Sequence, residues 1–247
     1  MIVLEKELSK PYEMIDMVTT PYGSLVAKEL CNNCTSALNA WINLIKEYQE
    51  LLGIPVDMNE LYGKLYNHAL AGDADCGGLI SYNYISGEPV TGLADGRPLF
   101  VRSANDKFNL ANFMRTHLYA SVGVLKIGND ILFNEEKIKV DRITGHGGLF
   151  KTKGVGQRIL AAAINSPISV METAGEGGAW GIALLGSYLV NNEKNQSLAD
   201  FLEDKVFAGD AGIEISPTAE DVAGFNTYIE NYKAGLPVEE AATRFKK

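Results

Sequence analysis

Two glycine-rich turns carry the residue types closest to chemistry. The first, Gly145-His146-Gly147-Gly148, follows an alternating run from Lys139 to Ile143 and precedes a helical pattern from Gly156 to Ala163. The second, Thr173 to Gly178, follows Ile168 to Met171 and precedes a helical pattern from Glu176 to Val190. Glycine adopts positive φ and lets a ligand approach the backbone. A helix start offers unpaired N–H groups suited to phosphate. Two such turns after parallel strands in succession would lie side by side at one sheet edge, where open α/β sheets take ligands. Tight packing explains a single glycine turn equally well. Neither turn is a dinucleotide fingerprint, which needs Gly or Ala where Phe150 and Trp180 stand, and no G-x-x-x-x-G-K-[ST] occurs.

Other candidates are weaker. Cys31 and Cys34 form C-N-N-C, but a zinc site needs about four ligands. The histidines His68, His117 and His146 make no paired ligand motif. With Cys76 the cysteines are odd in number, so no disulfide framework is expected. The GDADCGG segment reads as a loop, because a calcium loop needs further ligands and a distal Glu. No metal site is assigned. The net charge is −9 without a basic block, which argues against nucleic acid and anionic membrane surfaces. The N-terminus carries charge from Glu5 onward, so it lacks a signal-peptide core, and no apolar run reaches a membrane span. A cytoplasmic location is expected.

The elements that must position the turns follow from periodicity. Met1 to Leu8 and Ser24 to Cys31 read as strands, with turn chemistry at Pro21-Tyr22-Gly23. Leu38, Trp41, Ile42, Ile45, Tyr48 and Leu52 recur at helical steps, and Gly53 and Pro55 end that helix. Asp57 caps a second helix. The run from Gly77 to Tyr84 reads as a buried strand leading into a glycine- and proline-rich loop. A long helix is expected over 110–132, and smaller ones over 198–204 and 219–234. The strand–turn–helix rhythm indicates an α/β layer in one domain over 1–247.

The order of these segments is similar to that of the FGGY carbohydrate kinases. That family's second domain carries a motif like GGGAKSxxWxQILA, then a strand, then EAGALGAALLA. Here Gly147, Gly148, Leu149, Phe150, Lys151 and Thr152 stand in the first motif, followed in register by Gln157, Ile159, Leu160 and Ala161. Glu176, Gly178, Ala179, Gly181, Ala183 and Leu184 stand in the second. Upstream, Tyr84, Ser86, Gly87 and Glu88 keep the pattern of the family's GLxFLPYLSGER. The segment from Leu99 to Ala120 resembles its second signature. Leu149 and Phe150 replace small residues, His146 replaces a glycine, Val101-Arg102 and Thr116 depart from the signature, and Pro89 replaces Arg.

The resemblance implies a ribonuclease H-like (actin-like ATPase) domain, a mixed β-sheet flanked by helices. It implies the C-terminal, nucleotide-binding side of a xylulokinase- or ribulokinase-like enzyme, using ATP and Mg²⁺ to phosphorylate a small sugar, most simply a pentulose. Gly147, Gly148, Leu149 and Thr152 are expected to line the adenosine and phosphate side. Lys151 meets phosphate or is simply exposed at a helix start. Glu176 and Gly178 join the nucleotide site, or serve only helix-end charge and close packing. The family's catalytic base is an Asp before a Gly-Thr-Ser turn that would precede Met1. Asp16, Asp73 and Asp75 lack its flanking sequence, so no catalytic residue is assigned. The N-terminal sugar-binding domain is the expected partner, and this half alone is expected to be inactive. It should expose an apolar patch near its first strand, through which a homodimer can form. Glu88 is expected to face the cleft or pair with Arg97. The alternative is a non-catalytic actin-like scaffold or sensor, favoured if Leu149 and Phe150 fill the adenine pocket.

Overall fold

The computed structural model describes residues 1–171, 177–193, 195–208 and 212–245. Strands β1 (Ile2–Val3), β2 (Ile15–Thr19) and β3 (Leu25–Glu29) form an antiparallel sheet in the order β1-β3-β2. Its hairpin turns at Gly23, whose φ of 93° suits a residue without Cβ. Helices α1 (Ser36–Leu51) and α2 (Met58–Ala69) follow, and Asp57 caps α2 by accepting the Glu60 N–H at 2.9 Å. Strand β4 (Ile80–Tyr82) pairs antiparallel with β5 (Leu99–Val101). Then come α3 (Leu110–Asp130), α4 (Val155–Ile164), β6 (Ile168–Val170), α5 (Gly177–Asn191), α6 (Leu198–Phe201), β7 (Ile213–Ile215) and α7 (Ala219–Thr243). Strands β6 and β7 pair antiparallel. No helix of the described residues is long and apolar enough to cross a membrane.

The α/β class is as expected, with three departures. The first strand is two residues long rather than spanning Met1 to Leu8, and β2 adds a strand that the sequence reading left unassigned. No strand runs from Lys139 to Ile143. One parallel bridge, Thr144 to Ser169, stands there instead, with Ser169 N–H donating to Ile143 O at 2.9 Å and Gly145 N–H to Ser169 O at 2.8 Å. Alternation marks a segment able to pair, but β6 is only three residues long and offers no more edge. Lastly, α7 does not stop at Ala234; it continues through Pro237 to Thr243. Gly235 lies under the Tyr82 hydroxyl, where a Cβ would collide, and that hydroxyl donates to Tyr232 O at 2.8 Å. Packing there outweighs the helix-breaking signal of Gly and Pro.

Helix α3 is the centre of the core. Asn109 caps it through the Asn112 N–H, and Met114 and Leu118 are fully buried. Each such side chain contributes about 1.5–3 kcal/mol on burial. Phe225, Tyr228 and Tyr232 of α7 and Val155 and Ile159 of α4 complete the same cluster. A charged knot joins the three helices. Asp221, in the first turn of α7, accepts from Arg115 of α3 at 2.5 Å and from Arg158 of α4 at 2.7 Å. Arg115 also donates to the Tyr119 hydroxyl and to Gly72 O.

Burial alone would push the Asp221 pKa up, but hydrogen bonds from Arg158, Thr218 and Arg115 outweigh it and hold the carboxyl below its ordinary value. Because the folded pKa is lowered, this stabilisation is present above the ordinary carboxylate range and is lost as pH falls through and below it. Asp221→Ala is expected to cost about 3 kcal/mol or more, because it strands a buried guanidinium. Urea denaturation at pH 7 checks the magnitude, and the gap between variant and parent should narrow on acidification.

Candidate functional site

The first glycine turn is placed by α4 and β6. Gln157 of α4 is buried, and its side-chain amide donates to Ile168 O at 3.0 Å and to Ile213 O at 2.7 Å. One side chain thereby ties the helix to β6 and β7. The parallel bridge holds residues 143–145 beside β6, so the segment carrying the first turn lies next to the strand that leads to the second. The first turn bends at Gly147, with φ of 105°, into a short 3-10 turn (Gly148–Phe150), then reaches α4 through Gly154, with φ of 81°. The Phe150 N–H donates to Gly147 O, which closes that turn.

The bulky pair that replaces small residues turns inward. Leu149 and Phe150 both pack against the main core cluster. A Cβ on Gly145 would strike the Phe150 ring, and one on Gly156 would lie 2.7 Å from Leu149 O. Neither Leu149 nor Phe150 lines the cleft beside the turn.

That cleft has a volume of about 620 Å³, within the range of small-molecule sites. One wall is the extended segment 142–146. Arg142, Thr144 and His146 line the cleft, while Ile143 and Gly145 bond to Ser169 and face the core side. The second wall is the first part of α5: Gly177, Gly178, Trp180, Gly181, Ile182, Leu184 and Leu185. Leu198, Leu202 and Phe207 form the third wall, and Pro21 and Tyr22, at the tip of the β2–β3 hairpin, complete the lining. His146 lies close to Gly177, where an added Cβ would meet its Nδ1 at 3.0 Å. Among the described lining residues the surface is mainly apolar and aromatic, with Arg142 the single fully charged side chain. Such a surface suits a flat ring system carrying a polar tail.

The expected site residues divide accordingly. Gly178 lines the cleft. Gly147, Gly148, Leu149, Lys151 and Thr152 form the turn that continues directly from His146, but they are not on the lining. Glu176 lies outside the described residues. His146, which stands where the family has a glycine, lines the cleft and is exposed. Sequence reasoning missed Arg142, Thr144, Trp180 and Phe207. The period of two across residues 142–146 could have signalled the first pair; nothing local marked Phe207.

Other candidates are engaged elsewhere. Glu88 neither opens to the cleft nor pairs with Arg97. It is fully buried and accepts from Asn32 N–H at 2.9 Å and Asn33 Nδ2 at 3.2 Å. Burial raises its pKa, and the Asn33 hydrogen bond opposes that. Arg97 instead donates its backbone N–H to Glu239 and its guanidinium to Phe245 O. Cys31 and Cys34 are free thiols flanking the Asn32-Asn33 clamp. Asp73 pairs with Lys107 at 2.9 Å, and Asp75 caps Gly77 N–H. Among the described residues, no group of three or more metal-ligating side chains converges.

Residues 1–190 match the model for the C-terminal domain of the FGGY family of carbohydrate kinases. Solved structures of similar fold include xylulose kinase from Rhodospirillum rubrum, with TM-score 0.67 and 17% identity, covering 96% of this chain and 44% of that one. A ligand-bound xylulose kinase from Lactobacillus acidophilus gives TM-score 0.67 and 16% identity, with coverage of 96% and 44%. Plasmodium falciparum glycerol kinase with ADP gives TM-score 0.60 and 16% identity, covering 88% of this chain and 39% of that one. The likeness shows the fold, that of the actin-like ATPases. The chain spans less than half the length of these kinases. No curated protein sequence matches it significantly.

The turn geometry is testable without a ligand. Gly156→Ala places a methyl group against the Leu149 carbonyl, a backbone atom that cannot swing away. Overpacking of this kind costs about 1–3 kcal/mol. A lowered denaturation midpoint, with exchange of the 147–152 amides faster than in the parent, is the expected result.

Proposed function

Since the chain belongs to the FGGY family of carbohydrate kinases, matching the C-terminal domain model over residues 1–190, we propose that it forms the ATP-binding side of a sugar kinase. The observation that carries this reading is the cleft itself, which lies where the segments of both glycine motifs converge. In this reading the base and ribose occupy the apolar cleft between residues 142–146 and α5. The phosphates extend past His146 toward the Gly147–Thr152 turn and the start of α4. Phosphoryl transfer depends mainly on positioning and charge stabilisation. This chain's part is to hold the nucleotide and shield it from water. Mg²⁺, when bound with the nucleotide, would supply charge neutralisation at the phosphates, and this chain's part there would be the backbone of the Gly147–Thr152 turn rather than a carboxylate cage.

The sugar and the base that takes its hydroxyl proton are assigned to the N-terminal sugar-binding domain, whether joined to this chain or separate. A pentulose such as xylulose or ribulose is the proposed substrate, supported by the fold likeness to two xylulose kinases. Two exposed apolar surfaces suit that partner domain. One is the face of the first sheet that carries Val3 and Val18, both exposed and both in register with Val26. The other is the end of α5, with Leu189 and Val190 exposed, on a helix without a single charged residue. Two copies of this half alone can pair through the same surfaces. The cytoplasm, where ATP is supplied, is the proposed location. Against the scaffold reading, Leu149 and Phe150 pack on the core and leave the cleft open.

Calorimetry with ADP and Mg²⁺ on residues 1–247 is expected to show one site. The same material is expected to phosphorylate neither xylulose nor ribulose until the sugar-binding half is added. A folded chain that binds no ADP would overturn the nucleotide assignment. Turnover by residues 1–247 alone would overturn the division of labour.

A further inference from the structure

On the nucleotide reading, we infer that Trp180 and Phe207 form an aromatic clamp that selects the purine ring of the nucleotide, and that half of this clamp comes from outside the family's matched region. The two rings lie 5.6 Å apart at 67°, an edge-to-face corner on the cleft lining. A third flat ring laid in such a corner can stack on one face and meet the other ring's edge, the favoured aromatic geometries. The family motif EAGALGAALLA carries leucine where this chain has Trp180, so the ring is a feature of this chain's sequence. Phe207 belongs to the segment after residue 190, where the family match ends.

That segment is built to hold its position. It leaves α5, forms α6 and one π-helical turn (Leu202–Val206), and closes with Phe207 N–H donating to Leu202 O at 2.8 Å. Three contacts fasten it: the Tyr188 hydroxyl donates to Gln196 O at 2.8 Å, the Tyr188 and Phe201 rings meet at 5.4 Å, and Lys205 pairs with Glu193 at 2.6 Å. The π turn places Leu202 and Phe207 on the same cleft wall. π turns recur at functional sites, where they re-aim side chains. The lining also holds Tyr22, His146, Arg142 and Thr144 among aliphatic side chains and glycine, and Trp180 and Phe207 are the two lining rings in contact with each other.

The test uses the whole chain with adenosine and ADP, followed by tryptophan fluorescence and calorimetry. The other tryptophan, Trp41, packs with Phe113 and His117 and is not on the cleft lining, so quenching by ligand reports Trp180. Both ligands should quench saturably. Trp180→Ala and Phe207→Ala should each weaken both ligands by roughly tenfold, the usual scale for removing one ring from a base stack. Trp180→Phe should keep affinity within about threefold, because a stacking face remains, and abolish the quench. If Trp180→Ala fails to fold, Trp180→Phe and Phe207→Ala carry the test. Unchanged ADP affinity in Trp180→Ala or Phe207→Ala, or quenching that survives in Trp180→Phe, overturns the clamp and leaves the nucleotide site standing. An unaltered chain that binds neither ligand overturns the nucleotide reading and the clamp with it.

Discussion

The Asp221 carboxylate is the point on which three helices depend. It receives Arg115 from α3 and Arg158 from α4 while sitting in the first turn of α7. A lone buried charge costs several kcal/mol, so each partner needs the others in place. The consequence reaches the site through α4. Arg158 fixes that helix to α7, and its neighbour Gln157 fixes it to β6 and β7. The first glycine turn hangs from the start of α4, beside β6. Its placement therefore depends on polar contacts outside the cleft lining.

The cleft has one polar wall and two apolar ones, and each arises differently. Extended backbone alternates its side chains, so bonding Ile143 and Gly145 to Ser169 obliges Arg142, Thr144 and His146 to face the opposite way. A helix instead presents a stripe, and Gly177, Trp180, Gly181, Leu184 and Leu185 of α5 recur at three- and four-residue steps along it. Glycine at 177 leaves room for the His146 ring against the helix start. The wall formed by residues 198–207 meets α5 through ring contacts.

The inward turn of Leu149 and Phe150 shows how bulk in a ligand-binding motif need not close the site. Gly145 and Gly156 lack the Cβ atoms that would block these two residues. Apolar surface that would otherwise face the cleft is partly withdrawn from water against the core. Glu88 shows the converse. Its loop keeps the family spacing, yet its carboxylate is held by Asn32 and Asn33 from the strand–helix connection before α1. No sequence spacing between positions 33 and 88 could announce that contact.

The amino-acid sequence by itself determined the α/β class, the helices with clear apolar stripes, the Asp57 cap and the glycine turn at 145–148, because each rests on contacts within a few residues. Motif order was also enough to identify the family. Tertiary structure decided the rest. It reduced the expected strand at 139–143 to a single bridge, because β6 is too short to pair further. It carried α7 through Gly235 and Pro237, because packing against Tyr82 outweighs local propensity. It brought Phe207 to Trp180 across 27 positions of chain. Local patterns record which face of a segment is apolar; which distant face it meets is decided only when the whole core closes.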